Sequence, residues 1–118
     1  MFRFEGLDIW RKAIDLSDRL FDIADKSDKL KYYRFSEQLP AAATSITNNI
    51  AEGSASNHNK EFSQFLNISR RSVFECVNIL IIYNRRGIIS LAELEELKEE
   101  LLSISKMISA FRKTLLMK

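Results

Sequence analysis

The chain has 118 residues, enough for one domain with a real core and too few for two. Hydrophobic residues make up 46% and charged residues 29%, the balance of a globular domain, and no run approaches the roughly 18 apolar residues of a membrane span. The net charge of +2 is too small to imply a nucleic-acid partner by its sum, so the distribution of charge carries the weight. A single cysteine, Cys76, excludes an intramolecular disulfide framework. The stretch Met1 to Gly6 lacks the apolar core and cleavage site of a signal peptide, so a cytoplasmic location is expected. Three glycines and one proline are few breakers, which favours long helices over many short strands.

The first helix is expected over residues 7–26. Trp10, Ala13, Ser17, Leu20 and Ala24 follow three-four spacing on one face. Ile9, Leu16 and Ile23 form a second apolar line, widened by Ile14 and Phe21, which is more apolar surface than one bundle seam needs. The polar segment Ser27 to Lys31 reads as a loop.

The second helix is expected over residues 34–52, with Leu39, Ala43, Ile46 and Ile50 facing the core. Pro40 disrupts an interior turn by removing an N–H and crowding the preceding carbonyl. Either Ser36 caps the helix and Pro40 falls in its first turn, or the helix begins earlier and kinks at Pro40; the second is the favoured reading. Gly53 is placed as the stop, because glycine accepts the left-handed conformation that ends helices.

Ser54 to Asn59 is turn-forming, and the third helix is expected over residues 60–86. Phe62, Phe65, Ser69, Ser72, Cys76, Leu80 and Tyr83 share a stripe, and only Asn78 interrupts the hydrophobic run from Val77 to Tyr83. A helix apolar nearly all round is normally buried all round, so this segment points to a subunit interface. Gly87 ends it, and Ser90 with Glu93 forms a capping-box pattern that opens a fourth helix over residues 91–117. Its apolar positions, Leu94, Leu97, Leu101, Ile104, Ile108, Phe111 and Leu115, alternate three and four without a miss. Glutamates fill its first half and Lys106, Arg112, Lys113 and Lys118 its second, complementing the helix dipole. The expected architecture is an all-α, antiparallel, up-down-up-down four-helix bundle in a single domain, residues 1–118.

Chemistry has little to stand on. The only histidine, His58, lies in a polar loop away from Cys76, so no base sits beside a nucleophile. Glu-x-x-His pairs, glycine-rich phosphate loops and zinc spacings do not occur, so neither an enzymatic role nor a cofactor or metal is expected. Two features stand apart. Ser45, Asn49 and Glu52 form a polar line on the second helix, read either as a hydrogen-bonded structural network or as a ligand-contacting surface. Charge is also polarised along the bundle. The end that gathers the starts of helices one and three and the ends of two and four carries Arg3, Arg11, Lys12, Lys60, Lys106, Arg112, Lys113 and Lys118. Arg70 and Arg71 add to it from the third helix, against Glu5, Asp8, Glu52 and Glu61. Such an end suits RNA or DNA phosphates with little sequence specificity.

The stretch Gln38 to Gly53, and within it Asn49-Ile50-Ala51-Glu52-Gly53, resembles the bacterial four-helix-bundle family of proteins encoded in intervening sequences of 23S ribosomal RNA genes. Leu7 to Trp10, Lys12-Ala13, Lys60-Glu61-Phe62, Phe65-Leu66, and Ser72 with Glu75 extend the likeness over nearly the whole chain. Leu39-Pro40-Ala41-Ala42 departs from it, where the family often shows Leu-Arg-Arg-Ala; so does Arg71-Ser72, where the family shows Gly-Ser. Ser45, Asn49, Glu52 and Gly53 are its motif residues here. The resemblance implies a ring-like homo-oligomer, expected to be a pentamer, without known enzymatic activity. It also implies an accessory role, since a similar protein serves diversity-generating retroelements by binding reverse transcriptase and nucleic acid. A scaffold that binds another polypeptide and no nucleic acid is the alternative expectation.

Overall fold

The three-four spacing is realised as four long helices in the computed structural model, which describes residues 1–118. They are α1 (Asp8–Lys29), α2 (Tyr33–Ser54), α3 (Asn59–Arg85) and α4 (Leu91–Leu116), preceded by a 3-10 turn, Arg3–Gly6. Their short connections force antiparallel neighbours, and the result is an all-α four-helix bundle measuring 47 × 23 × 20 Å. No helix is long and apolar enough to cross a membrane.

The core runs the length of the bundle. On α4 the residues Leu94, Leu97, Leu101, Ile104, Ile108 and Leu115 are all buried, and Phe111 packs edge-on against Phe62 with ring centroids 5.4 Å apart. Each such side chain contributes about 1.5–3 kcal/mol by leaving water. α2 packs against both α1 and α3, and α3 against α4. The α1–α4 seam is looser and is bridged by polar groups: Lys12 Nζ to Ser103 Oγ at 2.8 Å, and Arg19 to Glu96 and Glu100 at 2.9 and 3.4 Å.

Several expectations need correction. The second apolar line of α1 is not surplus: Ile9, Leu16 and Ile23 are buried in the core, and of the apolar residues on that helix only Phe21 remains exposed. Helix α1 also continues past Ser27 to Lys29 and closes in a Schellman motif. Tyr32 N–H donates to Ser27 O at 3.0 Å and Lys31 N–H to Asp28 O at 2.9 Å, with Lys31 in the left-handed region at φ 68. The same closure ends α3, with Ile88 N–H on Tyr83 O and Gly87 N–H on Asn84 O, and there a glycine holds the φ of 75.

Helix α2 starts at Tyr33, so Pro40 lies inside it and Ser36 is no cap; Ser36 Oγ donates to Tyr33 O at 2.8 Å instead. Gly53 does not stop the helix either. It sits within α2 with an ordinary φ, and a Cβ there would lie 2.7 Å from both Phe62 Cδ1 and Phe65 Cβ. Its glycine answers a close approach of α2 to α3. At the start of α4, Ser90 Oγ accepts from Glu93 N at 3.1 Å, so Ser90 is the N-cap, but the return bond from Ser90 N–H to the Glu93 carboxylate that would complete a capping box is not made.

Candidate nucleic-acid interface

At the end of the bundle where α1 and α3 begin, the 3-10 turn folds across the helix ends. Phe4 packs on Trp10 at 5.0 Å, which brings Arg3 over the Phe62 ring at 4.9 Å, with Arg3 Nη1 reaching Ser54 O at 3.5 Å. From α4, Arg112 Nε donates to Ser63 O and Ser63 Oγ at 3.0 and 3.1 Å, and its Nη1 to Asn67 Oδ1 at 3.2 Å. From α3, Arg70 turns back one helical turn, its Nε and Nη2 donating to the same Asn67 Oδ1 at 3.3 and 3.2 Å. Its guanidinium also lies over Phe74 at 5.5 Å.

Two of the expected cations, Arg70 and Arg112, thus meet at Asn67 on α3, while Arg3 is held separately over Phe62 and at the end of α2. Every acceptor that holds them is neutral. The ion pairs of the chain lie elsewhere, at Arg19 with Glu96 and Glu100 and at Lys98 with Glu95. The remaining expected residues do not join them. Arg11 Nε is occupied by Glu5 O at 3.0 Å, and Lys12 is drawn into the α1–α4 seam by Ser103. Lys60, Arg71, Lys106 and Lys113 are exposed, without an ion pair or hydrogen bond. Arg71, one residue beyond Arg70, is turned about 100° around the helix from it. Ser63 and Asn67, the groups that hold the arginines, were not anticipated; their spacing of four places them on one face of α3, which was the available signal.

The polar line on α2 divides. Ser45 Oγ lies 2.7 Å from Ser72 Oγ, and Asn49 Nδ2 donates to Ser45 O and Oγ at 2.8 and 3.1 Å. Ser69 Oγ adds a bond to Ile46 O at 2.8 Å. Ser45 and Asn49 therefore belong to a network that ties α2 to α3 beside the close approach at Gly53. Glu52 stands outside it, exposed. No buried side-chain polar atom of the chain lacks a partner.

A second surface feature is a groove of about 450 Å³ between α3 and α4, lined chiefly by Val73, Phe74, Val77, Ile81 and Leu102, with Glu95, Lys98 and Glu99 at its rim. Phe74 is 60% and Leu102 of α4 53% exposed, while of the apolar run from Val77 to Tyr83 the residues Ile79, Leu80 and Tyr83 are buried in the core and Val77 and Ile81 line this groove.

No three histidine, cysteine, aspartate or glutamate side chains come together as a metal-ligand group. His58 is exposed ahead of α3, exchanging hydrogen bonds with Ser56. Cys76 is fully buried, and burial, aided by the neighbouring Glu75 charge, pushes its thiol up to about 12. Burial likewise raises the Tyr83 phenol, partly opposed by the Ser27 hydroxyl; its Oη donates to Phe35 O at 2.5 Å. Both groups stay protonated at neutral pH and serve packing.

The fold and its surface define a small helical-bundle protein that carries a cationic end and an apolar groove. The chain belongs to the family of 23S rRNA-intervening sequence proteins, whose family model matches residues 5–110. Among solved structures it is similar to a protein of unknown function from the S23 ribosomal protein family of Bacteroides thetaiotaomicron. The two share 22% identity at a TM-score of 0.83, over 89% of this chain and 98% of that one, a likeness of fold. No curated protein matches the chain.

Proposed function

We propose that this chain is a non-catalytic accessory protein that self-associates and binds RNA or DNA phosphates through its cationic end. The observation that carries the reading is the pairing of Arg70 and Arg112 on Asn67, with Arg3 held apart by Ser54 O and the Phe62 ring, all on neutral groups with no carboxylate to quench them. Charges fixed in this way keep their field for a polyanion, and the exposed Lys60, Lys106 and Lys113 extend it. The place of binding is the cytoplasm. The printed name of the family sets the context of ribosomal RNA genes without naming a ligand.

Binding driven by phosphates is steep in salt. Fluorescence anisotropy with a labelled RNA should show affinity falling about 50- to 150-fold between roughly 50 and 200 mM salt, the drop for about four phosphate contacts. Absence of binding at low salt, or binding indifferent to salt, would sink the proposal.

Self-association rests on the α3–α4 groove, whose exposed Phe74 and Leu102 favour a second copy of the chain as the occupant. The family resemblance makes a ring, a pentamer, the expected assembly. The groove also supports the rival reading, a scaffold for another polypeptide such as a reverse transcriptase. A protein partner that survives nuclease treatment, and still binds when Arg70 and Arg112 are changed to glutamate, would favour the scaffold.

A further inference from the structure

We infer that Asn67, Arg70 and Arg112 form a discrete subsite for one phosphoryl group, either a nucleic-acid phosphodiester or free phosphate. The inference deepens the nucleic-acid reading and rests on it for its biological ligand. Its physical basis is separate. One amide oxygen, Asn67 Oδ1, takes donors from both guanidiniums: Arg112 Nη1 at 3.2 Å, Arg70 Nη2 at 3.2 Å and Arg70 Nε at 3.3 Å. A carbonyl oxygen has two lone pairs, so the acceptor is oversubscribed. Two positive charges are drawn together on a group that carries none, and no carboxylate pairs with either.

The arrangement is also stiff. Arg112 is anchored through Nε to Ser63, and Arg70 lies over the Phe74 ring. Arg70 Nη1 and Arg112 Nη2 make no hydrogen bond within the protein, and all three residues are half-buried, hence reachable from solvent. Two guanidiniums with free N–H edges held on one pivot suit a tetrahedral oxyanion, which takes forked donors and cancels their repulsion. Because their positions are set before the ligand arrives, little ordering remains for binding to impose.

A purely structural tie between α3 and α4 predicts something different from a phosphoryl site. Asn67→Asp is isosteric, keeps every acceptor position and supplies the missing counter-charge. A structural tie would survive it unchanged or gain strength, whereas a phosphoryl site would be filled by the new carboxylate.

The experiment has two arms on the full-length chain. In the first, inorganic phosphate replaces chloride at constant ionic strength while the arginine Nε–Hε resonances are followed by NMR. In the second, affinity for a labelled single-stranded RNA is compared among wild type, Asn67→Asp and Lys113→Gln, the last removing the same unit of charge elsewhere at that end. The expected result is a saturable phosphate shift of the Arg70 and Arg112 resonances that Asn67→Asp abolishes, with thermal stability kept. RNA affinity should fall at least about 10-fold in Asn67→Asp and about threefold or less in Lys113→Gln. If Asn67→Asp does not fold, Arg70→Gln takes its place, because the tie from Arg112 to α3 then remains.

Unmoved arginine resonances overturn the subsite whatever the RNA result, and salt-dependent RNA binding in that case leaves the nucleic-acid reading standing. A phosphate shift sensitive to Asn67→Asp in a protein that binds no RNA keeps the subsite, assigns it to free phosphate and sinks the nucleic-acid reading.

Discussion

Gly53 and Lys31 are mismatched in opposite senses, and each makes a test. At Gly53 an added Cβ meets Phe65 Cβ at 2.7 Å, an atom fixed to the backbone that cannot swing aside. Overpacking of this kind costs about 1–3 kcal/mol, near the upper end here, and the better helix propensity of alanine returns about 1 kcal/mol. Gly53→Ala should therefore lower the unfolding free energy in urea by about 1–2 kcal/mol. Lys31 holds a left-handed φ of 68 at the end of α1, where Gly87 does the same work at the end of α3. Lys31→Gly should raise stability by about 0.5–1 kcal/mol in the same assay, through relief of the Cβ clash.

Cys76 adds a pH dependence whose sign follows from burial. Its thiol ionises near 9.0 when unfolded and near 12 when folded, so the folded state keeps the proton longer. The associated stability is whole below pH 9.0 and is lost as pH rises toward about 12. By roughly pH 11 the loss should reach about 2–3 kcal/mol. Urea midpoints measured at pH 8 and pH 11 should show this extra loss in wild type and its absence in Cys76→Ala.

Among the elements, α2 carries the clearest conflict between local preference and tertiary packing. Pro40 lies well inside it and denies Ser36 O its N–H partner, yet the helix holds because Leu39, Ala42, Ala43, Ile46 and Ile50 are buried along its length. Burial of that face outweighs a cost of up to about 3 kcal/mol. Pro40→Ala restores the hydrogen bond and should raise the thermal midpoint, with a gain of about 1–2 kcal/mol by denaturant titration. The same helix shows why its motif is assembled as it is. Ser45, itself held by Asn49, bonds to Ser72 while Gly53 admits Phe62 and Phe65, so the segment works as a packing device between α2 and α3. Its Glu52 alone faces solvent and is free for a partner.

For the whole molecule, the proposed self-association and phosphate binding would be coupled. Copies joined through the α3–α4 groove would present several cationic ends to one polyanion, and later contacts then form at a raised effective concentration. Leu102, 53% exposed at the groove, can be changed without disturbing the core. Leu102→Glu adds charge beside Glu95 and Glu99 and should convert the assembly to monomer in solution mass measurements. RNA affinity should fall by about 10-fold or more with it, while the urea midpoint of the chain stays close to wild type. A monomeric wild-type protein at micromolar concentration would overturn the coupling at once.

Helix number, order and the α4 core stripe were legible in the residues, since a period of 3.6 is a local property and short loops leave antiparallel packing as the natural outcome. Ser90 with Glu93 and the glycine at Gly87 marked their helix ends for the same local reason. The end of α1 was not legible, because Lys31 stands where the closure favours glycine. Only the packed structure assigned Ile9, Leu16 and Ile23 to the core and left Phe74 and Leu102 at the surface, for the width of a buried face depends on its neighbours. It alone brought Arg112 from the last helix to Asn67 and Arg70 on the third. A basic end can be counted along a chain, but two guanidiniums on one neutral oxygen exist only once α3 and α4 have met.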